Sequence, residues 1–217
     1  MNHNDIVRQS FKKQAEKFVA YHMSKVEYTD YLIQKIAATG EEHALEVAAG
    51  TCICGRALAP YVKDITCLDM TEEMLAQGIR LAEESHIENI YFQSGNAEKL
   101  PYEPETFDLV ITRLSFHHFD NPEKPFEEMK RVLKKGGKMV VWDMEAAEEP
   151  LREIDDKIEN MRDPSHTRIL SREEFEEMFK KDFALQCEET TLVPVNLKSW
   201  MELTDTSEDV QEEITNL

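Results

Sequence analysis

The stretch EVAAGTCICG, residues 46–55, decides how this chain is read. It closes an apolar run, 43–48, with small residues and Gly50, and reaches Gly55 where a helical pattern begins. In an open parallel sheet, ligands bind beyond the carboxyl ends of the strands, where the first strand turns into its helix. Small residues let backbone approach a ligand closely, and a helix start offers free amides and a positive dipole. A negatively charged or carboxylate-bearing ligand is favoured there. The spacing Gly50-x-Cys52-x-x-Gly55 is a poor match to the glycine fingerprint of dinucleotide-binding proteins, and taken alone the turn is compatible with a purely structural role.

Outward from this turn, short apolar runs alternate with longer helical patterns, which predicts an α/β chain with a mostly parallel sheet and crossover helices. The candidate strands are 43–48, 64–69, 89–94, 107–112 and 137–142, and a sixth fits 183–195, FALQCEETTLVPV. A helix over 71–86 is expected with Thr71 as its cap, and one over 122–134 with a proline in its first turn. Gly136 and Gly137 read as the stop and turn into the fifth strand. Before the sheet, Ile6, Phe11, Ala15, Phe18 and Val19, then Tyr28, Leu32, Ile33 and Ile36, recur at near-helical spacing, and Gly40 ends the second of these helices. After it, two helices fall within 147–180, separated by the loop DPSHTR, 163–168. The second carries a capping box, Ser171 with Glu174, and an amphipathic segment runs from about Ser199 to the end. The organisation is a helical lid over 1–40, a ligand-binding core over 41–145, and substrate-side helices, the sixth strand and a last helix over 146–217.

At 217 residues, 41% of them apolar, the chain can bury a full core without disulfides or metal. No apolar run approaches the roughly 18 residues of a membrane span, and the amino terminus lacks the apolar stretch of a signal peptide, so a cytoplasmic protein that engages no membrane is expected. Cys52, Cys54, Cys67 and Cys187 lack metal-ligand spacing and read as reduced thiols, with no metal site expected. The formal charge of −19 repels a polyanion, which argues against nucleic acid as partner. From Glu145 onward there are 21 Asp and Glu against 8 Lys and Arg, largely solvated helix faces, and this weakly disfavours an anionic substrate.

Asp69 closes the second strand about 20 residues after the glycine turn, where a carboxylate can accept hydrogen bonds from both ribose hydroxyls of an adenosine. Its alternative is a cap or first-turn charge for the 71–86 helix. Asn96 and Ala97 follow the third strand.

Taken in order, ALEVAAGTCICGRALA, CLDMTEEML, GNAEKLPY, FDLVITRLSFHHF and EEMKRVLKKGGKMVVWD resemble the successive motifs of class I S-adenosyl-methionine-dependent methyltransferases of the small-molecule type, close to the ubiquinone/menaquinone-biosynthesis (type 11) group. The match spans residues 43–143. It implies a Rossmann-like, doubly wound sheet with extra N-terminal helices, S-adenosyl-L-methionine as cofactor, S-adenosyl-L-homocysteine as product, and a small-molecule methyl acceptor. It further implies that Glu46, Ala48 and the Gly50 turn lie against the methionine part, that Asp69 grips the ribose, and that Met70 flanks the adenine. Asn96 stands where the family usually has Asp, with Ala97 giving its amide to the ring, while Arg113 and Leu114 run beneath the cofactor. His117 and His118 would face the transferred methyl group. Either could take a proton from the acceptor, although alignment alone supplies much of the rate of such a displacement. The alternative is that one histidine packs and the other caps. His166 and Tyr21 are lesser candidates for the lid or acceptor pocket.

This chain departs from the family pattern at Ala48 and Cys52, which replace the first and third glycines of the turn, and at Asn96. Cys52 adds a side chain where backbone is expected to approach the cofactor. No seventh strand is found, which leaves sheet edges to be paired in another way, a homodimer among the options. A protein that binds S-adenosyl-methionine without turnover is the second reading, distinguished by the absence of methyl transfer despite binding. A nicotinamide-dependent oxidoreductase is the third, opposed by the glycine spacing and by the GNAEKLPY and HHF segments.

Overall fold

The structure, a computed structural model, describes residues 2–23 and 26–217, and the side chains of residues 22–28 lie outside that description. The side chain of Tyr28, counted above in the helical pattern, is one of these. Five strands form a sheet: β1 (His43–Val47), β2 (Asp64–Asp69), β3 (Ile90–Ser94), β4 (Phe107–Arg113) and β5 (Leu133–Trp142). Their order is β3-β2-β1-β4-β5 and every pairing is parallel. The order reverses between β1 and β4, so the crevice at their carboxyl ends is the natural ligand site of the fold.

Residues along a strand alternate between faces, and here both faces are apolar. Ala44, Ile65, Cys67, Leu109 and Ile111 pack on one side with Leu32 and Ile36 from α2 (Val26–Ile36), Leu58 from α3 (Ile53–Leu58) and Leu75 and Ala82 from α4 (Glu72–Glu84). Leu45, Val47, Leu68 and Val110 pack on the other with Phe126, Met129 and Val132 from α5 (Glu123–Val132). Each large side chain so buried contributes roughly 1.5–3 kcal/mol, which is why the strands read as near-continuous apolar runs. The remaining helices are α1 (His3–Met23), α6 (Leu151–Arg162), α7 (Arg172–Lys180), α8 (Leu197–Leu203) and α9 (Glu208–Thr215). At α7 the capping box is present, Ser171 accepting from the Glu174 amide while the Glu174 carboxylate accepts from the Ser171 amide.

Four expectations are corrected. Residues 183–195 form no strand; the cleft described below runs between this segment and the outer edge of β5, so no ladder can form. Side chains hold the segment instead, with Glu188 and Thr190 on Arg172 and Glu189 on Lys35. Gly136 and Gly137 lie inside β5, not ahead of it. Between the pairs Phe107–Leu133 and Leu109–Lys138, β5 spends three more residues than β4, and a Cβ on Gly137 would stand 2.8 Å from the Asp108 carbonyl oxygen. The α2 helix stops at Ile36, where Ala37 turns left-handed (φ 47°), before Gly40 is reached. Thr71 stands at the start of α4 but its hydroxyl makes no capping bond.

Candidate active site

A cleft of about 1750 Å³ opens at the carboxyl ends of the strands. Glu46, Ala48, Gly50, Asp69, Met70, Ala97, Arg113, Leu114, His117 and His118 all line it, as does Tyr21. Asn96 does not. Its side-chain oxygen accepts from the Glu98 amide at 2.8 Å, closing the turn that follows β3. His166 also stays out of the lining; its ring stacks behind His117, 5.8 Å between centroids, and its Nε2 lies 3.1 Å from Asp156 Oδ1.

The turn after β1 is built on three left-handed residues, Ala48 (φ 52°), Gly50 (φ 55°) and Cys52 (φ 57°). Two of them carry side chains in a conformation that favours glycine. Cys52 is fully buried and absent from the cleft lining, with its Sγ against Gly78, so the side chain expected to obstruct the cofactor faces the core. Glu46 supports the turn from below: its Oε2 accepts from the Gly55 amide at 2.8 Å and from the Cys67 thiol at 3.4 Å, and burial pushes its carboxyl up to about 7.

Asp69 ties β2 to this turn. Its Oδ2 accepts from the Gly50 amide at 2.7 Å and its Oδ1 from the Thr71 amide at 2.8 Å. Burial raises its carboxyl above the ordinary value against the pull of those two amides. Asp69 therefore fastens the start of α4 and also lines the cleft. Arg113, at the end of β4, lies 5.7 Å from the Trp142 ring, and its buried Nε has no hydrogen-bond partner among the described residues.

Opposite this half, His117 and His118 occupy a short 3-10 turn after β4. The His117 Nδ1 is 2.5 Å from Asp143 Oδ1. Burial alone would lower the imidazole, but Asp143 outweighs it and holds His117 above its ordinary value. The His117 Nε2 has no partner among the described residues and belongs to a side chain lining the cleft. His118 is different. Burial, then the neighbouring His117, drives it down to about 3, so it is neutral. Ser165 spends its hydroxyl proton on Asp163 at 2.6 Å, so the His118 Nδ1 must be the donor toward Ser165, 3.1 Å away. His118 Nδ1 thus fastens the 163–168 loop, and burial leaves His118 the weaker proton acceptor of the two histidines.

Among the cleft residues that the sequence reading did not single out are Asp143, Glu159, Arg162 and Trp200. Asp143 had a signal, a carboxylate one residue beyond a parallel strand. The other three sit in helices without a diagnostic motif. Arg162 bonds Glu159 Oε2 through Nη2 at 2.6 Å and stacks 4.2 Å from the Trp200 ring. Among the described residues no group of three or more histidine, cysteine or acidic side chains could hold a metal ion, and no helix is long and apolar enough to cross a membrane.

A family model described as a methyltransferase domain matches residues 45–141. YcgJ of Bacillus subtilis (strain 168), named an uncharacterized methyltransferase, is 33% identical over 185 residues, 84% of this chain and 73% of its own length. The crystal structure of YcgJ matches with a TM-score of 0.82 at 32% identity, covering 87% of this chain and 81% of that one. The demethylmenaquinone methyltransferase of Alkalihalophilus pseudofirmus is 35% identical over 102 residues, 46% of this chain and 43% of its own length, so that likeness spans less than half of either protein. The five-stranded parallel sheet and its flanking helices are the class I methyltransferase fold, and the chain belongs to the type 11 methyltransferase domain family.

Proposed function

We propose that this methyltransferase takes its methyl group from S-adenosyl-L-methionine, releases S-adenosyl-L-homocysteine, and methylates a small-molecule acceptor. The observation that carries this reading is that the Gly50 turn, Asp69 and the unpartnered Arg113 Nε share one cleft with the His117–Asp143 pair.

The residues present fit the cofactor. Each Asp69 oxygen receives one backbone amide, and a carboxylate offers about four acceptor sites, so both oxygens keep capacity for a ribose hydroxyl. The buried Arg113 Nε suits the carboxylate of the amino-acid part, beside Glu46, Ala48 and Gly50. Met70 and Ala97 line the cleft where an adenine ring would be flanked, and Leu114 lies beneath. An adenine contact by Asn96 requires its side chain to turn from Glu98. When bound, the cofactor supplies a methyl group on a sulfonium, a leaving group already activated. The protein then has to hold acceptor and donor in line, exclude water, and accept a proton at His117 Nε2. The free thiols of Cys52, Cys54 and Cys67 suit a reducing compartment such as the cytoplasm.

The reading in which the cofactor binds without turnover rests on the departures from the family pattern and on the lack of a seventh strand among the described residues; Cys52 faces the core and is no obstacle, and methyl transfer by the cofactor-bound protein separates the two readings. The test is calorimetric titration with S-adenosyl-methionine and S-adenosyl-homocysteine, with NADH as control, repeated in Asp69→Ala. Saturable binding of both sulfur nucleotides, lost in the variant, is the expected result. A folded protein that binds neither would sink the proposal.

A further inference from the structure

The floor of the cleft on the acceptor side is electrically lopsided. Asp143 accepts from the Ser115, Phe116 and Met144 amides besides His117. Asp163 is 2% exposed and accepts from Ser10, Gln14 and Ser165, while the neutral His118 brings it no compensating charge. Glu159 is 5% exposed and spends only Oε2 on Arg162; its Oε1 has no partner among the described residues. Arg162 is the one guanidinium paired with any of these three carboxylates among the described residues. Once His117 is neutral, as a base must be, the group carries net negative charge in a place where burial strengthens it. Phe11 and Phe18 supply apolar walls nearby. The Glu159 Oε1 is not fully buried, and with Glu159 lining the cleft it is open to a donor that a methyl acceptor brings.

Resting on the cofactor reading above, we infer that the methyl acceptor is an amine, held as its ammonium by Glu159 Oε1 and deprotonated by His117 Nε2, with Asp143 and Arg162 as positioning residues. The ammonium N–H proton passes to His117, and the freed nitrogen lone pair forms the new N–C bond. The C–S bond breaks with its electrons remaining on sulfur, which becomes a neutral thioether, and His117 returns its proton to water. Anionic acceptors are rejected by the same carboxylates.

A matched series tests this on protein saturated with S-adenosyl-homocysteine: 2-phenylethylamine, 2-phenylethanol and 3-phenylpropanoate, followed by calorimetry. The amine is expected to bind at least about tenfold more tightly than the alcohol, and the carboxylate more weakly than either. Glu159→Gln should bring amine and alcohol within about threefold while leaving S-adenosyl-homocysteine affinity unchanged, which also shows that the variant is folded. Equal or tighter binding of the alcohol or the carboxylate to the unmodified protein overturns the inference, as does binding of none of the three or an amine preference that survives Glu159→Gln. Failure to bind S-adenosyl-homocysteine overturns the cofactor reading and this inference with it, and is seen before any amine is added.

Discussion

The Nδ1 of His117 and the Oδ1 of Asp143 stand 2.5 Å apart, joining the segments that follow two neighbouring parallel strands, β4 and β5. The contact fixes which ring nitrogen of His117 carries its proton and leaves the other toward the cleft. It also exposes both groups to test, because each shifts the other: His117 upward, and Asp143 downward despite the opposing effect of burial.

Asp143→Asn should reverse the His117 shift. Without the carboxylate, burial is the main influence left, so the imidazole is expected to titrate below 6.5 rather than above it. Histidine C2 proton resonances followed against pH in both proteins read this directly. An unchanged His117 titration would mean that the pair is not formed. The amide also sets an N–H against either the Ser115 and Phe116 amides or His117 and Met144, so a stability loss of about 1.5–3 kcal/mol is expected in denaturant.

Ala48 and Cys52 hold left-handed conformations that glycine adopts without penalty. Ala48→Gly is therefore expected to stabilise the protein by about 1 kcal/mol. Cys52→Gly should gain less or lose, since the thiol it removes is fully buried. Urea unfolding midpoints of the two variants, compared with the parent, decide the matter; equal destabilisation by both would argue against the turn geometry.

Glu46 makes stability depend on pH through neutrality. Its carboxyl is raised from 4.5 to about 7, so the folded chain holds a proton there that the unfolded chain has released. The resulting stabilisation is full below 4.5 and is lost as pH rises through 7, an effect on the order of 3 kcal/mol. Glu46→Gln still offers an oxygen to the Gly55 amide but cannot ionise. It should be the more stable protein at about pH 8 and differ little from the parent at about pH 4. Thermal melts across that range measure the crossing.

Gly55 is tolerated only as glycine. A Cβ there would stand 2.2 Å from the Cys67 sulfur, so Gly55→Ala should cost about 1–3 kcal/mol or more. Cys67→Ala removes the obstructing atom, and the double variant is expected to recover part of the loss. A cycle with no coupling between the two sites would show that the clash is absent.

Some of this was legible in the order of residues. Apolar runs at 43–48, 64–69, 89–94 and 107–112 met strands within a residue or so of their ends, because strands buried on both faces leave a continuous apolar trace. Asp69, Gly50 and Arg113 could be placed in the cleft because each stands at or just past the carboxyl end of a parallel strand, a position the chain order alone defines. By contrast, 183–195 has the composition of a strand and is none. A strand needs an edge to pair with, and here the cleft separates the segment from β5.

What the sequence by itself determined is the alternation of elements, the two apolar faces and the line of residues along the strand ends, since these follow from local periodicity and chain direction. Tertiary structure alone decided that Asp143 meets His117, that Glu159 and Arg162 join them from α6, that Cys52 turns inward and that Asn96 closes on its own turn. Each of these depends on where a side chain points once distant segments have packed. That direction is set by contacts between residues tens of positions apart, which no local pattern records.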